Sequence, residues 1–108
     1  MSYIYAIGPK HGPIKIGYSK TPQKRVNELQ TGHHEKLYLH YYAEIDDNKA
    51  EIIEHLIHRS NNHRRINGEW FDLSIEDSKA EIDFAIIRFG DDDSLIIKHK
   101  NKLKINLF

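Results

Sequence analysis

The opening of the chain admits few folds. Tyr3, Ile4, Tyr5, Ala6 and Ile7 are rich in strand formers, and Gly8-Pro9 ends the run. Gly12-Pro13 then reopens it into Ile14, Lys15, Ile16 and Gly17. Two short strands about a Gly/Pro loop predict an antiparallel hairpin whose connection is longer than the tightest turns. A helix start follows at once. Thr21 suits the N-cap, and Pro22 suits the first helical position, where a missing N–H costs nothing. Val26 and Leu29 lie one turn apart, and Gly32 stops the helix.

The remaining elements follow from periodicity and punctuation. Leu37 to Ile45 is dense in Tyr, Leu and Ile and predicts a third strand. Asp46, Asp47 and Asn48 offer an N-cap and acidic residues at the positive end of a helix dipole. Ala50, Ile53 and Ile57, with Ile52 and Leu56, recur at helical spacing to about Ser60. Asn67-Gly68 predicts a turn, and Trp70 with Phe71 a brief buried strand or anchor. Ser74 and Asp77 resemble a capping box with Asp in place of Glu, opening a third helix through Ile82, Ala85, Ile86 and Phe89 to Gly90. From Leu95 to Phe108, lysines at 98, 100, 102 and 104 interleave with apolar residues, which predicts a lysine-guarded edge strand.

Composition narrows the function classes. A chain of 108 residues is the common size of one domain, and neither repeat nor linker divides it. Having no cysteine removes disulfides, thiolate zinc sites and a cysteine nucleophile together, which fits a reducing cytoplasm. The start MSYIYAIGPK lacks the pattern of a signal peptide, and no apolar run nears the ~20 residues that cross a bilayer, so a soluble protein with no membrane partner is expected. Lys and Arg total 16 against 16 Asp and Glu, so a globally basic surface for nucleic acid is absent. The charge is blocked all the same. Residues 1–37 carry Lys10, Lys15, Lys20, Lys24, Arg25 and Lys36 against Glu28 and Glu35, while residues 74–93 are acidic. One basic face is compatible with the zero sum.

Chemistry-bearing residues gather in the first half. Tyr3 and Tyr5 share one face of the first strand, with Lys15 on its partner, Arg25 on the next helix and Glu54 on the one after. Tyr, Lys and Arg suit a phosphate, which takes donors and positive charge. A carboxylate added to them holds a hard cation through oxygen. The set points to phosphodiester hydrolysis, the metal polarising the phosphate while a base activates water. Against this stands the ordinary role of each residue: a strand tyrosine half-buried, an arginine on a helix surface, and Glu51 or Glu54 pairing with nearby His or Lys. Eight histidines raise zinc, with His55 and His58 on one helix face and His63 beyond. Zinc needs three or four converging ligands, and no familiar pattern is completed here.

The run YIYAIG…IKIGYS followed by KTPQKRV resembles the GIY-YIG nuclease superfamily. Tyr3-Ile4-Tyr5 stands for the first motif and Lys15-Ile16-Gly17 for the second, with Arg25 eight residues after Gly17. In AEIIEHLIH, Glu54 lies four residues after Ala50, and RRINGEWF resembles the Gly-Glu-Trp-Phe ending of a phage-type branch. The match covers about residues 3–73, leaving 74–108 as a C-terminal extension of the single domain. Two positions depart from the pattern: Tyr3 replaces the opening Gly, and Lys15 replaces the second motif's Tyr, as the branch also looks to do.

The resemblance implies a small, mainly antiparallel three-stranded sheet flanked by helices, an α+β fold with the site on one sheet face. It implies a DNA endonuclease using Mg2+ or Mn2+. Tyr5 would be general base, directly or through water, and Arg25 would stabilise the phosphate. Glu54 would hold one divalent ion, Lys15 would assist on the phosphate, and one of His33 and His34 would exchange protons with the reacting oxygens. Tyr3 would lie beside them, with Lys20, Lys24 and His58 lining the DNA groove. Glu69 is left open between a structural role and the site. A phage or mobile-element origin, and hence a host cytoplasm, is implied by the branch alone. A nuclease of one small domain gains specificity from a partner or a homodimer. The rival reading is the same fold kept as a DNA-binding or regulatory module without catalysis, and a third is an interaction protein joined through the lysine-striped C-terminal strand.

Overall fold

The computed structural model describes residues 1–91, so the expected strand at 95–108 lies outside the described residues. The elements run β1 (Ser2–Gly8), β2 (Ile14–Ser19), α1 (Pro22–Thr31), β3 (Tyr38–Ile45), α2 (Ala50–Ser60), a single 3-10 turn (Asn62–Arg64), β4 (Arg65–Asn67), β5 (Trp70–Phe71) and α3 (Ile75–Phe89). The strands form one antiparallel sheet in the order β3-β1-β2-β5-β4. No helix among the described residues is long and apolar enough to cross a membrane.

Alternation in β1 sorts the core into two layers. Ile4 and Ala6 face one side, packing with Ile14, Ile16 and Phe71 of the sheet against Ile53 and Ile57 of α2 and Ile82 and Ala85 of α3. Tyr5 and Ile7 face the other side with Val26 of α1 and Leu37. Because both faces are covered, β1 reads as a nearly unbroken apolar run rather than a polar–apolar alternation. β3 and β4 are the edges; β3 is largely half-buried, and all three residues of β4 are exposed.

The expected sheet of three strands has five. Gly68, at φ 53°, turns Arg65–Asn67 back on Trp70–Phe71, and this hairpin joins β2 through Ile14↔Phe71 and Lys15↔Trp70. All three residues of β4 are exposed, so it carries no apolar pattern to betray it. Two helix starts also differ from the reading of their residues. Thr21 makes no side-chain cap; its N–H instead donates to Ser19 Oγ at 2.9 Å. Neither Asp46, Asp47 nor Asn48 caps α2, whose N-cap position is Lys49. The Asp47 carboxylate is committed elsewhere, accepting from Ser2 Oγ at 2.8 Å and pairing with the N-terminal amine at 3.3 Å. The third start matches expectation, with Ser74 Oγ accepting from the Asp77 N–H at 3.0 Å.

Helix α3 is tied to the sheet by a short hydrogen bond from the Tyr41 hydroxyl to the Asp83 carboxylate. Donation to Asp83, then partial burial, push the Tyr41 phenol up to about 12. A folded-state value above the ordinary 10 means the contact stabilises fully below pH 10 and is lost as pH rises towards 12. Absorbance at 295 nm should show Tyr41 among the tyrosines that ionise late. Asp83→Asn should return it to the ordinary range.

Candidate active site

The register of β1 and β2 sets the geometry. Tyr5 pairs with Gly17 and Ile7 with Lys15, so Tyr5, Gly17 and Lys15 share the sheet face that α1 covers. A β-carbon on Gly17 would stand 2.7 Å from Tyr5 Cζ and overlap its hydroxyl oxygen. The missing side chain is therefore the space the Tyr5 ring occupies. Gly17 was legible only as part of a motif; its physical role required the register.

Tyr5 is 2% exposed, and its hydroxyl is hydrogen-bonded by the Arg25 guanidinium. Arg25 stands in the first turn of α1, fixed there as its N–H bonds the Thr21 carbonyl at 3.0 Å. Burial pushes the phenol up, while Arg25 acts in the opposite sense through its hydrogen bond and charge. Arg25 itself is held up chiefly by that bond to Tyr5, and its Nη1 also reaches Glu28 at 3.3 Å.

Lys15 Nζ pairs with Glu69 at 2.8 Å and lies 5.8 Å from the centroid of the Trp70 ring. Glu69 thus belongs to the site through its side chain, while its backbone carbonyl accepts from the Ile16 N–H at 3.1 Å. On the far edge of β2, Glu54 of α2 accepts a hydrogen bond from the Tyr18 N–H. Burial first, then repulsion from Glu69, push its carboxyl up to about 7, with Lys15 opposing. Tyr18, 41% exposed, also stands in the field of Glu51 and Glu54, and burial raises its phenol. It was not singled out in the sequence, where it is one more strand aromatic.

The other expected residues sit as follows. His33 stacks on Trp70, with ring centroids 5.6 Å apart, at the border of the Lys15–Glu69 pair. His58 is turned inward: Nε2 donates to the Ile16 carbonyl at 2.7 Å, Nδ1 lies 3.6 Å from Glu54, and the ring packs on Phe71. Burial lowers its imidazole, which favours the neutral ring. Tyr3 is partly buried, edge-on to Tyr42 at 5.6 Å. Lys20, paired with Asp47 at 3.5 Å, and Lys24 are exposed and are not drawn into the cluster.

Among the described residues no three His, Asp or Glu side chains converge as a metal site. A hard divalent ion is commonly held by one or two carboxylates with water and substrate phosphate completing the sphere. Glu54 fits such an ion chemically, because a cation offsets the burial and the repulsion that hold its proton on.

A family model described as the T5orf172 domain matches residues 2–86. The chain belongs to the T5orf172 domain family. The matched region takes in every strand of the described residues and most of α3, so the domain includes the helix that packs on the core layer of Ile4, Ile53 and Ile82. The family is of phage type and nuclease-like, which supports a nuclease-like or DNA-binding function at this coarse level. Neither a curated protein nor a solved structure matches the chain.

Two outcomes follow from this geometry. Gly17→Ala should leave the fold assembled but displace the Tyr5 hydroxyl from Arg25, visible as altered Tyr5 side-chain shifts by NMR and a stability loss of about 1–3 kcal/mol. In metal-free protein the raised Glu54 carboxyl favours the fold below pH 4.5, an advantage lost as pH climbs through about 7. Glu54→Gln should therefore stabilise the protein at pH 8 by up to about 3 kcal/mol and leave it nearly unchanged at pH 4, measured by denaturant melts in EDTA.

Proposed function

We propose that this domain is a metal-dependent endonuclease that hydrolyses DNA phosphodiester bonds. The observation carrying the reading is the buried Tyr5 hydroxyl held by Arg25 within the field of Glu54 and Glu69, groups drawn from β1, α1, α2 and the turn before β5. A hydroxyl, a guanidinium, an ammonium and a carboxylate around one face form a set suited to a phosphodiester and attacking water, and membership of a nuclease-like family points the same way.

Each residue then has a distinct task. Arg25 donates to the phosphate oxygens and keeps the Tyr5 oxygen aimed at the reacting centre. Tyr5 takes the proton of the attacking water, directly or through a second water. Burial keeps its phenol protonated at neutral pH, so it relays: as it takes the water's proton, its own passes to a neighbouring water, the new P–O bond forms, the leaving P–O bond breaks, and the leaving oxygen takes a proton from water. Arg25, which makes the phenol more acidic, favours that exchange. Lys15 assists on the phosphate, positioned by Glu69 and Trp70. Glu54 would hold Mg2+ or Mn2+, which when bound supplies positive charge to the phosphate and the water. His33 borders the site at Trp70, within reach of a role in proton exchange only through substrate or water.

A second reading, a DNA-binding module without cleavage, draws on the Lys15–Glu69 pair, which neutralises the cation standing in the second motif. Supercoiled plasmid incubated with Mg2+ and then Mn2+ separates the two. Nicking should appear, vanish in EDTA, and fall at least about a hundredfold in Arg25→Ala and Glu54→Ala. Cleavage that persists in both variants would overturn the assignment. Gel retardation of uncut plasmid would establish the binding module instead.

A further inference from the structure

Beside the Tyr5–Arg25 cluster the chain builds a stack of rings that the hydrolytic chemistry does not use. Trp70 of β5 packs on the core layer of Tyr5, Ile7, Val26 and Leu37. His33 lies over Trp70, centroids 5.6 Å apart and planes 26° apart. His34 lies over His33, again at 5.6 Å, with planes only 5° apart. The outermost ring is 90% exposed, so the stack ends in a bare aromatic face. Successive parallel histidines at a helix end are an odd use of exposed residues, since packing against solvent stabilises nothing.

The loop carrying these rings is held in place. Gln30, in the last turn of α1, donates from Nε2 to the carbonyls of His33 at 3.2 Å and Glu35 at 2.9 Å. Its Oε1 accepts the Leu37 N–H at 2.7 Å, and the His33 N–H returns to the Gln30 carbonyl at 3.1 Å. One side chain thus staples the segment from His33 to Leu37, so the open ring face is pre-formed. The inner end of the stack touches the ionic site, because Lys15 Nζ stands 5.8 Å from the Trp70 centroid. His33 Nδ1 is buried, with no hydrogen-bond partner among the described residues.

We infer that the Trp70–His33–His34 stack is a platform for one unpaired nucleobase next to the scissile phosphate. This rests on the reading of the neighbouring cluster as a phosphodiester site and narrows its substrate to DNA with a splayed or single-stranded nucleotide. Aromatic faces flanked by cations are how proteins hold unpaired bases, each stacked base contributing about 1–3 kcal/mol. A paired base in a duplex is already stacked on both faces and offers this platform only an edge. His34 is accordingly the residue that selects substrate rather than one that performs the reaction.

The test uses two DNAs in EDTA, where no cleavage intervenes: a duplex containing 2-aminopurine in a pair, and the same duplex with the 2-aminopurine extrahelical. The full chain should bind the second about tenfold more tightly and quench its emission. His34→Ala should reduce that affinity to the duplex level and restore emission, with an unchanged melting temperature, while His34→Phe should keep both effects. Equal affinity for the two DNAs, or undiminished quenching in His34→Ala, would overturn the platform. Magnesium-dependent plasmid nicking without discrimination between the two DNAs removes the platform and keeps the nuclease. Discrimination without nicking keeps the platform and removes the nuclease, and the absence of both removes the two together.

Discussion

β2 runs out of strand partner before it runs out of residues. On one side it pairs with β1 from Lys15 to Ser19, but on the other β5 reaches only Ile14 and Lys15. The Ile16 carbonyl and the Tyr18 N–H would be left open in a partly buried setting, where an unpaired backbone group costs about as much as a lost hydrogen bond. Side chains of α2 complete the edge, His58 donating to Ile16 and Glu54 accepting from Tyr18. The cost of a short β5 is thus met by placing an ionisable helix residue against a strand that carries Lys15 and faces Tyr5. Fold completion and the clustering of charge are one event here, which is why Glu54 is held where its own ionisation is disfavoured.

The same economy shapes the other face. Gly17 gives up its side chain to the Tyr5 ring, and that ring in turn receives Arg25 from a helix whose start is set by Thr21 and Pro22. Each position is over-determined by backbone: a cross-strand register for Tyr5, a first helical turn for Arg25, a two-residue strand for Trp70. Groups fixed in this way lose little further freedom when a ligand arrives, the physical meaning of a preorganised site.

Much of this was legible in the residues. The hairpin, α1, the body of α2 and α3 followed from Gly/Pro punctuation and from spacing at three and four residues. What escaped was whatever depended on contacts distant in sequence. β4 has no apolar residue turned inward, and its existence is decided by the Gly68 turn and the open edge of β2. The Asp47 carboxylate looked free to cap a helix, but Ser2, far away in sequence, takes it. At the site, Tyr5, Lys15, Arg25 and Glu54 were visible as chemically apt types in order, whereas the pairing of Lys15 with Glu69 was not, because it needs β5 to lie beside β2. His58 illustrates the opposite case: a polar residue that looks available in sequence, and whose ring is spent on the backbone.

The two cations of the cluster arrive already matched, Lys15 with Glu69 and Arg25 with Glu28. A phosphate that takes either one frees a carboxylate, which then recruits a cation from solution. Each small ion shed by the DNA is offset by one gathered on the protein, so the entropy gain that usually drives proteins onto DNA is largely cancelled. Association through this face would be shallow in its dependence on ionic strength and brief on arbitrary sequence. Through this face, charge alone would not hold the proposed nuclease on DNA.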